Sequence, residues 1–292
     1  MGQVATYGVT ALDGVAFGLL LFVVAAGLAL VFGVMDVLNM AHGTLYLLGA
    51  YLAYLLTDGS LIALIAALTA GVAAGALGGA VLAAALRPLA GRGHLDQALA
   101  TLGIAFLAAD GLAGVFGAAP LAADPPMVLA GRVDIAGHGY PVYRLVFIAV
   151  AAAVAVALQW VVRRTTAGLM LRATVSDPAM AAAAGIRTGR VRVVALAVGG
   201  ALAVTAGVLG APLLGPAPGV DTSVLVLSLI VVVLGGAGSI PATLAAALLV
   251  GQVQTLGVLV APSVAPFALF SALFAVLVLR GQAAAPTMAR PA

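Results

Sequence analysis

Cysteine is absent from this chain, and its absence excludes disulfides, thiolate metal sites and a cysteine nucleophile. Lysine and glutamate are missing too: all twelve basic residues are arginine and all nine acidic residues are aspartate. Charge of either sign is scarce, at 7% of 292 residues against about 25% in an ordinary soluble domain. So few charges cannot cover a water-exposed surface of this size. With 64% hydrophobic residues and a mean hydropathy of +1.27, most of the chain has lipid for its solvent. The three histidines, His42, His94 and His138, lie in three separate regions, and no His-Glu-x-x-His or Gly-x-Ser-x-Gly pattern occurs. The glycine run at 235–238 is not followed by Lys-Ser/Thr, so it is no phosphate loop. Hence no catalytic residue, metal site or bound cofactor is expected on this chain.

What is present is a series of long apolar runs. The alternating pattern of a lipid-facing barrel is missing, so these read as helices. Spans are expected at about 12–33, 36–56, 61–86, 98–117, 144–162, 193–212, 222–235, 242–260 and 266–280. The segments 36–56 and 222–260 carry glycine and polar breaks, which makes eight spans as tenable as nine. The fold class is therefore all-α, a polytopic transmembrane bundle of about eight to nine spans with broken helices. A single membrane domain over 1–280 would end in a disordered tail, 281–292. The first run, from about Gly14 to Val34, lacks a basic flank and a small-residue cleavage site, and is expected to be a retained helix.

A net charge of +3 and a pI near 9.7 reflect topology here and give no reason to expect nucleic acid. Arg87 and Arg92 share one loop, Arg163, Arg164, Arg172, Arg187, Arg190 and Arg192 flank or fill another, and Arg280 and Arg290 close the chain. With nine spans all three regions fall on one side, cytoplasmic by the positive-inside rule. The opposite side holds Asp58, Asp124, Asp134 and Asp221 with only Arg132 and Arg144. The N-terminus is then outside and the C-terminus inside.

Two loops are long. The outer one, 118–143, is rich in proline and glycine and too polar to span. The inner one, 163–192, contains a complete short-helix signature. Ser176 or Asp177 suits the N-cap, Pro178 the first helical position and Gly185 a left-handed stop. The helix surface is small and apolar. It either docks into a partner's groove or lies on the membrane as a connector.

Several stretches in order resemble the branched-chain amino acid ABC permeases of the LivH type. The inner loop contributes Gly168-Leu-Met-Leu-Arg172-Ala173, Asp177, Met180-Ala181, Gly185-Ile186 and Arg190-Val191. Gly33-Val-Met-Asp-Val-Leu-Asn39-Met-Ala41-His42-Gly43 with Leu48-Gly49-Ala50-Tyr51 is similar to the family's second-helix motif. Ala100-Thr101-Leu102-Gly103-Ile104 and Val233-Leu234-Gly235-Gly236-Ala237-Gly238-Ser239-Ile240-Pro241 are similar to two more. Ser223-Val224-Leu225 and Arg280-Gly281-Gln282 depart from the family pattern. The resemblance implies that the inner-loop helix is a coupling helix that docks on a cytoplasmic ATPase. Gly168, Arg172, Ala173, Asp177, Met180, Ala181, Gly185 and Ile186 would form it. It implies as partners two ATP-binding subunits that use the ATP, a second related permease subunit or a second copy, a substrate-binding protein outside the cell, and the lipid of a bacterial inner membrane. It implies Leu, Ile or Val as cargo; relatives of the family carry urea, short amides or other amino acids.

Asn39, His42, Gly43, Thr101, Gly235 and Gly236 are candidates for the translocation path. Polar groups in an apolar run face a bundle interior or a wet cavity. The competing reading of Asn39 and His42 is a helix-to-helix hydrogen bond, and Gly43 is a position where the backbone could unwind. Asp110 in the fourth span is expected to pair with Arg144. Gly71, Gly75 and Gly79 share a helix face and are expected to admit a close neighbour. An ion-driven secondary transporter with Asp110 and His42 as relay groups is the alternative function.

Overall fold

The computed structural model describes residues 2–89, 91–135, 137–236 and 239–284, with side chains described over 5–278 of that set. Helices dominate, since a backbone in hydrocarbon must satisfy its own hydrogen bonds. In chain order they are α1 (Gly2–Met35), α2 (His42–Leu56), α3 (Leu61–Leu86), α4 (His94–Phe116), α5 (Val142–Arg164), α6 (Thr166–Ser176), α7 (Pro178–Ala183), α8 (Thr188–Leu214), α9 (Val220–Gly235), α10 (Ile240–Gln252), α11 (Val258–Val260) and α12 (Ala265–Ala284). A π-helical turn over Val253–Gly257 joins α10 to α11. Each of the nine expected segments contains helix, but among the described residues six helical runs are long and apolar enough to cross a membrane alone. The last helix continues through Ala284, so residues 281–284 are helical where a disordered tail was expected. Residues 285–292 of that tail lie outside the described residues.

The outer loop carries structure. Strands β1 (Arg132–Ile135) and β2 (His138–Pro141) form an antiparallel hairpin in which Val133 faces Tyr140. Gly137 turns it, donating its N–H to Asp134 Oδ1 at 2.7 Å. The hairpin end is tied to α1: the Tyr140 hydroxyl donates to Asp13 at 3.1 Å, and Arg144 forms an ion pair with the same carboxylate. Asp13 is thus the partner of Arg144, and the expected Asp110–Arg144 pair does not form. Asp110 is exposed on α4, and the described residues offer it no ion pair.

α1 and α8 are the most enclosed of the spanning helices. The small-residue face of α3 packs on α8 inside the subunit. A Cβ at Gly75 would collide with the Gly200 carbonyl and one at Gly79 with that of Leu196, so the two backbones meet directly. α2 uses the next face of α8, where Gly49 and Gly207 are equally closed. The largest core cluster joins Leu20, Phe22 and Val24 of α1 to Tyr143 and Phe147 of α5, Val231 of α9 and Val250 of α10. The outer faces of α3, α4 and α5 present side chains such as Ile62, Leu107 and Val156, exposed as lipid-facing positions must be.

The second apolar run is broken where one span over 36–56 was expected. After α1 ends at Met35, residues 36–41 run back as non-helical backbone, starting with Asp36 at φ +53°. α2 begins only at His42. At 15 residues it is about 22 Å long, short of the roughly 30 Å hydrocarbon core. The His42 ring reaches the Val24 carbonyl and lies against Gly27, about three turns before the end of α1. α2 therefore starts at mid-depth, and the re-entrant segment is tolerated because it is buried in protein.

Candidate functional site

The loop 163–192 folds into two helices where one was expected. Three devices build its first corner. Thr165 caps α6 by accepting from Gly168 N at 3.1 Å, while its hydroxyl donates to the Val161 carbonyl at 2.7 Å. Gly168 sits so close to the end of α5 that a Cβ would strike the Val161 and Val162 carbonyls. The Arg172 guanidinium then donates to the Val162 carbonyl, one of the acceptors left open at a helix C-terminus. The motif residues Gly168 and Arg172 thus lock α6 onto α5.

The second corner makes α7. Asp177 Oδ1 accepts from Ala179 N and Met180 N, both at 2.9 Å, and Pro178 occupies the first turn. At the other end Gly185 takes φ +87°. Ile186 N donates to the Ala181 carbonyl and Gly185 N to that of Ala182, each at 3.0 Å, which is a Schellman stop. A left-handed residue costs an ordinary side chain about 1–2 kcal/mol, so glycine belongs there. Of this six-residue helix Ala181 is buried, at 4%, and Met180 projects at 68% exposure. Ala173 and Ile186 are half-buried. The result is a rigid, doubly capped apolar knob with no acidic residue but its own cap.

α6 connects the knob to the bundle. Leu171, Arg172, Val175 and Ser176 line a cavity of about 240 Å³ whose far wall is Leu30 and Gly33 of α1 with Ile240 and Thr243 of α10. A larger cavity of about 600 Å³ separates α5 and α6 from α8, lined by Leu158, Gly168, Met170, Ile186, Arg190 and Val194 among others. These voids leave room for α6 and α7 to move against α1, α8 and the start of α10.

Of the path candidates the structure brings four together. Thr101 of α4, fully buried, accepts from Met40 N at 3.0 Å and donates to the Ala98 carbonyl at 2.8 Å. Asn39 accepts from Ala41 N at 3.1 Å and is 3% exposed. His42 donates to Val24 at 3.0 Å. Gly43 lies in α2 proper, where a Cβ would meet the Asp221 carbonyl, so the unwinding precedes His42 and does not occur at Gly43. Gly235 and Gly236 are elsewhere: Gly235 abuts the backbone of Thr243, and Gly236 turns at φ +81°. Ala237 and Gly238 of that motif lie outside the described residues. None of the six lines either of the two cavities.

Sequence reasoning missed Asp221. Counted among the outer acids, it is only 8% exposed, in the first turn of α9 beside Gly43. It falls one residue before the expected span 222–235, and nothing local signals that α9 starts against the interior end of α2.

A polytopic helical bundle with buried broken helices and an exposed, doubly capped helix among arginines defines a membrane transport subunit. The chain belongs to the family of branched-chain amino acid transport system permease components, whose sequence model matches residues 10–280. It is 24% identical over 277 residues to the high-affinity branched-chain amino acid transport system permease protein BraD of Pseudomonas aeruginosa, covering 88% of each chain. It is 26% identical over 260 residues to LivH of Escherichia coli K12, covering 84% of this chain and 83% of LivH. LivH of Salmonella typhimurium is 24% identical over 258 residues. No solved structure matches.

Proposed function

We propose that this permease subunit works in an ATP-driven importer of branched-chain amino acids and that α7 is the helix through which ATPase closure reaches the bundle. The cargo reading rests on the names of its relatives. The coupling reading rests on one observation: an apolar helix, fixed by Asp177 at one end and Gly185 at the other, stands exposed at the arginine-rich end of the bundle. That end is cytoplasmic by the positive-inside rule, which places the N-terminus outside and the C-terminus inside.

ATP-driven closure of two ATPase subunits pushes α7. α6, locked to α5 at Gly168 and Arg172, carries the displacement into the voids beside α1, α8 and α10. The inner half of α1 and the start of α10 re-pack, and access to the path alternates. The path itself runs beside the re-entrant segment 36–41 and the junction of α2 with α9, against a second permease subunit. A substrate-binding protein docks at the hairpin end. The chain holds no nucleotide and no metal of its own; it supplies path and coupling.

The test is uptake of radiolabelled leucine by vesicles containing the whole transporter. Asp177→Arg and Gly185→Val should each abolish ATP-dependent uptake while membrane insertion is kept. Normal uptake in both variants refutes the coupling role. Uptake that survives ATP depletion and follows the proton gradient instead refutes the ATP-driven class.

A further inference from the structure

A third cavity, of about 500 Å³, opens at the arginine-rich end between α1, α3, α4 and α8. Its polar wall is Arg87, Arg92, His94, Gln97 and Arg192, and its apolar wall includes Leu86 and Val193. No carboxylate lines it: Asp36 and Asp96, the nearest acids in sequence, are exposed and do not belong to its lining. Arg192 Nε is buried with no hydrogen-bond partner, and the described residues give none of the three guanidinium groups an ion pair. A charged donor buried without an acceptor is costly in a protein interior. Two long helices also start at this cavity, α4 at His94 and α8 at Thr188; neither has a side-chain cap, although in α8 Thr188 N and Arg190 N already donate to the Ile186 and Arg187 carbonyls. Free N–H groups at helix N-termini favour an anion.

We infer that this cavity binds a phosphate group, held by the Arg192, Arg87 and Arg92 guanidinium groups between the starts of α4 and α8. Planar guanidinium donors match phosphate oxygens in pairs. The apolar wall at bilayer level favours the headgroup of an anionic phospholipid over free phosphate, with acyl chains lying against Leu86 and Val193. The occupied site ties α3, α4 and α8 together at the end where α8 follows α7. It is distinct from the coupling helix and the path candidates, and its test in detergent does not depend on which way the chain faces.

The experiment is thermal melting and native mass spectrometry of the purified full chain in a neutral detergent. Three arms are dioleoylphosphatidylglycerol, dioleoylphosphatidylcholine and inorganic phosphate. The expected result is a saturable rise in melting temperature and one retained molecule of phosphatidylglycerol, with far weaker effects in the other arms. Arg192→Gln should weaken it at least tenfold, and Arg163→Gln, outside the cavity, should leave it unchanged. If Arg192→Gln does not fold, Arg87→Gln, whose side chain is exposed, gives the same reading. An equal saturable rise with inorganic phosphate alone keeps the anion site and makes its source a solute. No saturable binding of phosphatidylglycerol or of inorganic phosphate, or an equal loss in Arg163→Gln, overturns the inference.

Discussion

The His42 imidazole donates from Nε2 to the Val24 carbonyl at 3.0 Å and thereby fixes the start of α2 against the middle of α1. The ring is fully enclosed. This is the helix-to-helix clamp that polar groups in apolar runs often provide. His42→Ala should lower stability by about 1–3 kcal/mol, since it deletes a buried bond and leaves a void. His42→Gln should recover part of the loss. Melting of the purified variants checks this, and an unaltered melting temperature for His42→Ala would show that the clamp carries nothing.

The glycines of α3 and α8 predict a sharp contrast. Gly75→Leu and Gly79→Leu drive side chains into the backbone of α8, and overpacking of this kind costs 1–3 kcal/mol or more, so both should fail to accumulate as folded protein. Gly103→Ala and Gly111→Ala on α4 meet nothing within 4 Å and should behave like the parent. Equal yields of all four by fluorescence-detected size exclusion would contradict the packing.

At the opposite end, Asp13, Tyr140 and Arg144 form one cluster. The Asp13–Arg144 pair is about one-third exposed, so a double-mutant cycle should return no more than about 1 kcal/mol of coupling. Burial pushes the Tyr140 hydroxyl up to about 12, and the Asp13 carboxylate beside it acts the same way. A raised tyrosine contributes fully below its unfolded value near 10, and that contribution is lost as pH rises through about 12. Ultraviolet titration of the parent against Tyr140→Phe should reveal one late-ionising phenol. Ionisation of Tyr140 near 10 would contradict the buried contact.

Much of the fold was legible because lipid imposes few choices. Runs of about 20 apolar residues became helices, and the Asp177-Pro178…Gly185 spacing became a capped helix because its caps are local chemistry. The Gly71, Gly75 and Gly79 face announced close packing, though not that α8 fills it. What stayed hidden depends on contacts far apart in sequence. Arg144 meets Asp13, 131 positions away, in preference to Asp110, and no local pattern distinguishes the two. The placing of the break at 36–41, before His42 and not at Gly43, and the interior place of Asp221 were equally silent. In a chain apolar on every face, periodicity does not mark which segment leaves the helix inside the bundle. α6 was missed because Thr165 and Gly168 read as loop until the end of α5 is in place beside them.

Gly185→Asn should be tolerated and Gly185→Val should not. Asparagine enters the left-handed region readily and a β-branched residue does not. Leucine uptake by the whole transporter is the readout, and parental rates for both variants would mean that the stop of α7 is irrelevant to transport.

Coupling through α7 requires that it face the cytosol, and the natural absence of cysteine makes this measurable. Met180→Cys places a single thiol at an exposed side chain of that helix. A membrane-impermeant maleimide should leave it unlabelled in intact cells and label it in inside-out vesicles, with the ATPase subunits protecting it when bound. Labelling from outside intact cells would turn the topology over and remove the coupling mechanism.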